Sequence, residues 1–331
     1  MPYPRRSHPD RVAAFERNLE WGRKLGLLPD DSAERLFSFS GVAEFGTYFC
    51  PEPADDIDLV TNCMTYFFIF DDFFDTPAGQ PADAAVAAAL EMADLLGRGV
   101  PPDRCGSARI VAAFAEVWTR MASERSEVWR RRAAASWLEY LHANITEEAD
   151  RRSGEELCVK RYLQTRRGSI GVVPTLHLLE AAGGFEVPPL AWHSSLLGAM
   201  RMDATEHMIF TNDVMGLEKD EARGEINLVH LVIKEQGYSR EAAVDHVTAL
   251  ANDCVRDFIV LHGTTAEFCD RLGLSGCDRS AVFRHADGVR DMIGGNFYTH
   301  CDIDRYSIEG IAVLGPDRPG LLGVGTSVMA G

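Results

Sequence analysis

The chain has 331 residues, 46% of them apolar, with 33 Lys and Arg against 50 Asp and Glu for a formal net charge of −17. That acidic excess argues against nucleic acid and anionic membrane surfaces as partners, because both present phosphate and need a basic face. Any phosphate bound here must meet a local pocket of cations or bound metal ions. Apart from Lys24, Lys160, Lys219 and Lys234 the cations are all Arg, whose forked guanidinium suits phosphate oxygens.

No stretch approaches the roughly 18 apolar residues of a membrane span, and the N-terminal Met1-Pro2-Tyr3-Pro4-Arg5-Arg6 has no apolar run for export. The eight cysteines (50, 63, 105, 158, 254, 269, 277, 301) are scattered, without a C-x-x-C pair. That fits reduced thiols in a cytoplasmic protein better than a disulfide frame or a zinc site. Apolar residues recur every three or four positions almost throughout, and strand-like alternation is nearly absent. Ser7 and Pro9 start a helix that runs to about Leu27. Short helical pieces fill residues 31–49, bounded by Pro51 and Pro53. A long helix from about Asp55 ends on Phe67-Phe68-Ile69-Phe70-Asp71-Asp72-Phe73-Phe74-Asp75 and stops near Thr76-Pro77-Ala78-Gly79. An Ala-rich helix spans 81–96, and Pro101 and Pro102 mark a loop over 97–106. Two helices with little break between them cover 107–125 and 124–152. Beyond Ser153-Gly154 a helix reaches Glu180, interrupted in its middle. Gly183-Gly184 and Pro188-Pro189 turn the chain into the helix that carries Asn212 to Asp220. Helices over 227–235, 239–262 and 280–303 complete the set, and the Gly- and Pro-containing residues 310–331 form a flexible tail. No repeat or linker divides the chain. The reading is all-α: a single-domain helical bundle over residues 1–309, of about ten to twelve helices with its site between them.

Three carboxylates close the aromatic run of the fourth segment. Asp71 and Asp75 share a helix face with Asp72 beside them, and carboxylates among apolar side chains need a cation or a donor. Hard oxygens grouped this way suit Mg²⁺, which takes one or two carboxylates plus waters and substrate phosphates. A helix end with solvated acids is the plainer alternative. A second acidic stretch is Asn212-Asp213-Val214-Met215-Gly216-Leu217-Glu218-Lys219-Asp220-Glu221. Residues 212, 216 and 220 form one stripe on a helix, where the amide of Asn212 and the carboxylate of Asp220 could hold another Mg²⁺ beside Lys219.

The two stretches, 141 residues apart, resemble those of the class I terpene synthases, in particular the bacterial single-domain terpene cyclases. Asp71, Asp72 and Asp75 match the family's D-D-x-x-D motif, and Asn212, Gly216 and Asp220 are similar to its N-x-x-x-S-x-x-x-E motif. The resemblance implies a central active-site cavity, three Mg²⁺ ions and an isoprenyl diphosphate substrate. Two departures stand out. Gly216 lacks the hydroxyl, so a water would complete that ion's shell, and Asp220 is shorter than Glu, with Glu221 adjacent. A weaker third ion site follows. The family's diphosphate-sensing Arg falls on Arg166, 46 residues before Asn212, and Arg167 stands beside it. Independently, Pro174 cannot donate to the carbonyl of Ile170, and Gly168 and Gly171 loosen the backbone there; in the family a helix-break carbonyl at this place faces the substrate's allylic cation. Arg305-Tyr306 resembles the R-Y pair that binds diphosphate on closure. Gly295-Asn296-Phe297-Tyr298-Thr299 resembles a G-N-x-x-W lead-in, with Thr299 in place of the tryptophan that walls the cavity. Tyr66, Phe67, Phe70, Phe74, Phe210, Phe297 and Trp192 are candidates for the aromatic wall, although rings at helical spacing are more often core than cavity lining.

The implied reaction is Mg²⁺-assisted loss of diphosphate, promoted by Arg166, Lys219, Arg305 and Tyr306, followed by cyclisation of the cation and proton loss or water capture. Farnesyl diphosphate is the favoured substrate. Geranylgeranyl diphosphate is the alternative, because Thr299 leaves more room. A prenyl-chain elongator would need a second D-D-x-x-D, which is missing. A di-iron oxidase would need a partner for Glu139-x-x-His142, also missing. A helical interaction protein without activity is the remaining reading. Relatives of this kind are often homodimers, a state the sequence leaves open.

Overall fold

The apolar periodicity resolves into helices throughout the described residues, which contain no strand. The structure, a computed structural model, describes residues 1–53, 55–74, 82–98, 108–307 and 309–310. The expected tail from 311 onward, Asp75 and most of the 97–106 loop lie outside them. The helices are α1 (Arg11–Lys24), α2 (Asp31–Ser40), α3 (Glu44–Phe49), α4 (Ile57–Phe74), α5 (Asp83–Arg98), α6 (Arg109–Ala122), α7 (Glu127–Ser153) and α8 (Val159–Ser169). They continue as α9 (Val172–Ala182), α10 (Pro189–Trp192), α11 (Ser195–Met215), α12 (Leu217–Arg223), α13 (Leu228–Gln236), α14 (Arg240–Gly263), α15 (Thr265–Arg271) and α16 (Gly276–Asp302). A 3-10 turn, Asp304–Tyr306, follows α16. Breaks at Gly171, Gly216 and Thr264 divide longer rods, which is why the segments outnumber the helices expected from periodicity. The expected short gap between α6 and α7 is a real turn, with Glu124 at φ 57 and the Ser126 hydroxyl capping Trp129 N–H. Similar caps by Asp30, Asn227 and Ser239 start α2, α13 and α14, each worth about 1 kcal/mol.

Helix α4 is apolar on nearly every face, as a helix surrounded by protein must be. It packs on α1, α3, α5, α6 and α9. Contacts from α4 to α9, α9 to α11, α11 to α16, α16 to α3 and α3 back to α4 close a ring. Helix α11 has two apolar stripes. Leu197, Met200, Ala204 and Met208 join the main core, whereas Ile209 and Phe210 pack with Tyr162, Leu217, Leu228 and Val229 in a second core under α12 and α13.

One end of the ring is fastened by buried charge. Glu180 of α9 accepts both 2.7 Å contacts from Arg132 of α7, the Trp129 indole N–H at 3.0 Å and the Val187 N–H at 2.7 Å. Trp192 lies between the guanidinium groups of Arg132 and Arg201, 4.0 and 4.2 Å from its ring, a cation–π sandwich removed from water. The opposite end carries the two acidic stretches.

Candidate active site

The chain ends of α4, α8 and α11 and the turn after α16 meet at one rim. An aspartate at a helix C-terminus faces the negative end of the helix dipole and needs a cation. Asp71 and Asp72 at the end of α4 are in that position. Asp71 is exposed, while Asp72 is buried and its Oδ1 lies 3.4 Å from Nη2 of buried Arg305. The Arg305 guanidinium also covers the Phe68 ring at 5.2 Å.

Arg166 and Arg167 sit in the last turn of α8, where cations are favoured. Successive residues diverge around a helix, and so do these two. Arg166 turns inward, donating to Asn212 Oδ1 at 3.3 Å and lying 3.8 Å from Glu147. Burial works against its charge, but Glu147, Tyr162 and Asp213 outweigh it and hold its pKa above the usual range. Arg167 turns to Glu206 of α11 at 2.5 Å, away from Asn212. Ser169 donates to Glu147 at 2.6 Å, fixing the carboxylate that Arg166 faces. Burial raises the pKa of Glu147, against the pull of Arg166 and Ser169.

The expected interruption falls between α8 and α9, and Gly171 makes it. Its φ of 75 is the left-handed conformation that glycine adopts without penalty. Pro174 lies in the first turn of α9, where an N–H has no helical acceptor anyway. It still cannot serve the Ile170 carbonyl, and the first bond of α9 runs from Thr175 to Gly171. A Cβ on Gly171 would touch Phe67 at 3.4 Å, so Phe67 faces this break.

The second acidic stretch is bent rather than one rod. Gly216 ends α11 and begins α12 at φ −88 and ψ −1. Its N–H reaches the Asn212 carbonyl at 2.7 Å, and its own carbonyl accepts from Asp220 at 2.9 Å, so residues 212, 216 and 220 stay aligned across the bend. Asn227 braces the bend, donating to the Asp213 carbonyl at 2.8 Å and to Asp220 Oδ2 at 2.7 Å. The other Asp220 oxygen holds Lys219 at 2.6 Å, and Lys219 also reaches Glu225 at 3.1 Å. Burial pulls the Lys219 pKa down, but Glu225 and Asp220 overcome it and keep the ammonium charged. Asp213 points the other way, into the second core, accepting from Tyr162 at 2.8 Å and Leu228 N–H at 3.0 Å. Burial pushes its pKa up to about 6, with Arg166 opposing.

The two stretches share this rim. The charges of Arg305, Lys219, Asp220 and Asp71 all act on the half-buried Tyr306, whose hydroxyl pKa is raised by desolvation. The donor oxygens of Asp71, Asp72, Asn212 and Asp220 include no thiolate or imidazole, a set that fits Mg²⁺. Cations already sit on three of the four: Arg305 on Asp72, Arg166 on Asn212 and Lys219 on Asp220. Asp75 lies outside the described residues.

The candidate wall residues separate. Phe67, Phe68 and Phe74 are half-buried near the rim. Tyr66 is fully buried among Phe114, Trp137 and Met92, its hydroxyl 3.1 Å from the Met92 sulfur. Phe70 stacks on Tyr66, Phe210 lies in the second core and Trp192 in the charged sandwich. These four fill helix interfaces. Phe297 is half-buried against Tyr298, whose hydroxyl donates to the Tyr3 carbonyl at 2.7 Å. Tyr298 therefore faces the N-terminal segment. Thr299 is fully buried and satisfied by the Gly295 carbonyl at 2.6 Å. Glu139 and His142, the candidate iron ligands, are both exposed on α7. Glu147, Ser169, Asn227, Glu225 and His300 at the rim carry no motif; only Asn227 had a signal, as a helix start.

Hard oxygen donors interleaved with cations at one rim of an all-helical ring define an enzyme that binds a divalent metal together with an anionic ligand. Residues 62–257 match the model of terpene synthase family 2, C-terminal metal binding. The chain is 34% identical to R-linalool synthase of Streptomyces clavuligerus over 98% of its own length and 95% of that protein's. It is also 34% identical to pentalenene synthase of Streptomyces avermitilis, with 93% and 92% covered. The crystal structure of linalool/nerolidol synthase from Streptomyces clavuligerus in complex with 2-fluorogeranyl diphosphate superposes with a TM-score of 0.82, at 32% identity over 89% of this chain and 100% of that one. The chain belongs to the class I terpene synthases, lyases that act on prenyl diphosphates. No helix among the described residues is long and apolar enough to cross a membrane.

Proposed function

We propose that this terpene synthase ionises farnesyl diphosphate with Mg²⁺ and cyclises the resulting cation to a sesquiterpene, releasing diphosphate. The observation that carries the reading is the shared rim, where Asp71, Asp72, Asn212 and Asp220 face Arg166, Lys219, Arg305 and Tyr306. These oxygens and Asp75 would hold Mg²⁺, three ions in all, and the bound metal would supply positive charge for the departing diphosphate. Gly216 contributes no side-chain donor. Arg166, Lys219 and Arg305 bind the phosphoryl oxygens and Tyr306 donates to them, so negative charge grows among fixed positive groups. Phe67 and Phe74 face the hydrocarbon and exclude water. The Ile170 carbonyl, which has no helical donor, turns its negative end to the allylic cation.

The C15 substrate is supported by relatives named pentalenene synthase and (2E,6E)-farnesyl diphosphate-cyclizing (−)-β-caryophyllene synthase. A geranyl substrate with water capture is the second reading, supported by equal identity to R-linalool synthase. The test is incubation of purified protein with geranyl, farnesyl and geranylgeranyl diphosphates and Mg²⁺, followed by gas chromatography–mass spectrometry. A cyclic C15 product formed fastest from farnesyl diphosphate is expected. Linalool as the main product would establish the second reading, and no volatile product from any substrate would refute both.

A further inference from the structure

His300 belongs to neither acidic stretch, yet it touches Asn212 from the other side of the ring. Its Nδ1 is 2.7 Å from the Asn296 carbonyl, one turn back on α16. A carbonyl can only accept, so Nδ1 carries the ring proton and Nε2 keeps its lone pair. Nε2 lies 3.3 Å from the Asn212 side-chain nitrogen, which must therefore be the donor. This fixes which way the amide points, because nitrogen toward His300 puts Oδ1 toward Arg166 Nη2 at 3.3 Å. Reversed, the amide would set oxygen against a lone pair and N–H against a guanidinium, two repulsive contacts in place of two bonds. The imidazole is itself immobilised. It is 4% exposed, stacks on Tyr306 at 4.3 Å and meets the edge of Phe45 at 5.5 Å.

We propose that His300 is a positioning residue: its Nε2 lone pair aims the Asn212 amide oxygen at the metal, and its stack on Tyr306 joins that aim to the Arg305–Tyr306 turn. The assignment rests on the metal site under Proposed function, and metal ligands in general depend on such outer contacts for 10- to 100-fold in affinity.

His300→Phe keeps a ring for Tyr306 and removes the acceptor, whereas His300→Gln restores an acceptor oxygen. Calorimetric titration of Mg²⁺ with inorganic pyrophosphate reads the site without turnover. His300→Phe should raise the Mg²⁺ needed for half-saturation about 10-fold or more, and His300→Gln should recover most of that. In an Asn212→Asp background, where two equivalent oxygens leave nothing to orient, His300→Phe should add little. Should His300→Phe fail to fold by its melting curve, His300→Leu takes its place. Wild-type Mg²⁺ dependence in the acceptor-less variant, or a His300→Gln that falls with it, overturns the positioning role while the synthase reading stands. A wild-type chain that takes up no Mg²⁺–pyrophosphate refutes the synthase reading itself.

Discussion

Gly216 stands where the family resemblance leads to a hydroxyl ligand, and restoring serine there looks like an improvement. The geometry argues the reverse. A φ of −88 with ψ of −1 is open to any residue, and replacing glycine at an allowed position gains about 0.4–1 kcal/mol through the unfolded chain. A Cβ at this position, however, would stand 2.7 Å from the Asn212 carbonyl oxygen. That obstacle is backbone, which cannot swing aside like a side-chain tip, and such overpacking costs about 1–3 kcal/mol. The contact therefore outweighs the entropy gain by roughly 1–2 kcal/mol, or roughly 1–3 °C in Tm for a chain of this size. Relief must come from moving Asn212, whose amide oxygen is the proposed metal donor. Gly216→Ser and Gly216→Ala should both melt lower in the absence of metal, by similar amounts. Gly216→Ser should need more Mg²⁺ for half-maximal rate, not less. Scanning calorimetry and a Mg²⁺ titration of product formation measure both. A Gly216→Ser enzyme with unchanged Tm and a lower Mg²⁺ requirement would refute the reasoning.

Other expectations concern both ends of the ring. Arg166→Lys keeps the charge but loses the fork, and steady-state kinetics should find kcat lowered about 10²-fold; an unchanged kcat would remove Arg166 from the chemistry. Glu180→Ala strands Arg132, which is only 9% exposed at its side chain, and urea unfolding should report about 3–5 kcal/mol lost. Its Mg²⁺ requirement should stay put, because Glu180 lies at the far end of α9. His285 is buried and neutral, its pKa lowered to about 3 by burial and by Arg201 and Arg132. A histidine with a depressed folded pKa contributes stability above its unfolded pKa and loses it as the pH falls. Between pH 6.5 and 5 that loss is about 2 kcal/mol. His285→Gln should flatten the fall of stability over this interval, and a slope identical to wild type would show that His285 is not the source.

The residues that the sequence made readable are those whose signal is local. Apolar all-round character located α4, and the acids at its end followed from their order in the chain. The break before α9 was also visible: Pro174 leaves the Ile170 carbonyl without a donor, but that Gly171 and not Gly168 makes the turn could not be read, because backbone sign is not written in a residue type. Periodicity identified Tyr66, Phe70 and Phe210 as buried, yet a helix interface and a substrate cavity ask for the same apolar face. Arg166 was singled out by its spacing to Asn212, but where its neighbour Arg167 would point became readable only when helical rotation sent one to Asn212 and the other to Glu206. His300 gave no sign at all, since its partner Asn212 lies 88 residues away in sequence. Contacts between distant segments are a property of the fold, and only spacing within a segment can be read beforehand.

The resting rim is already largely neutralised from within, with Asp72, Asn212 and Asp220 each lent to an arginine or lysine of the same chain. An arriving ion alone meets occupied ligands and positive neighbours, and an arriving ester alone meets guanidinium groups tied to acids. Taken together they permit an exchange of partners, in which phosphoryl oxygens relieve the side-chain cations just as the metal relieves the carboxylates. Metal and ester should thus load interdependently, each poor at entering without the other, and the hydrocarbon end is committed only once both have arrived.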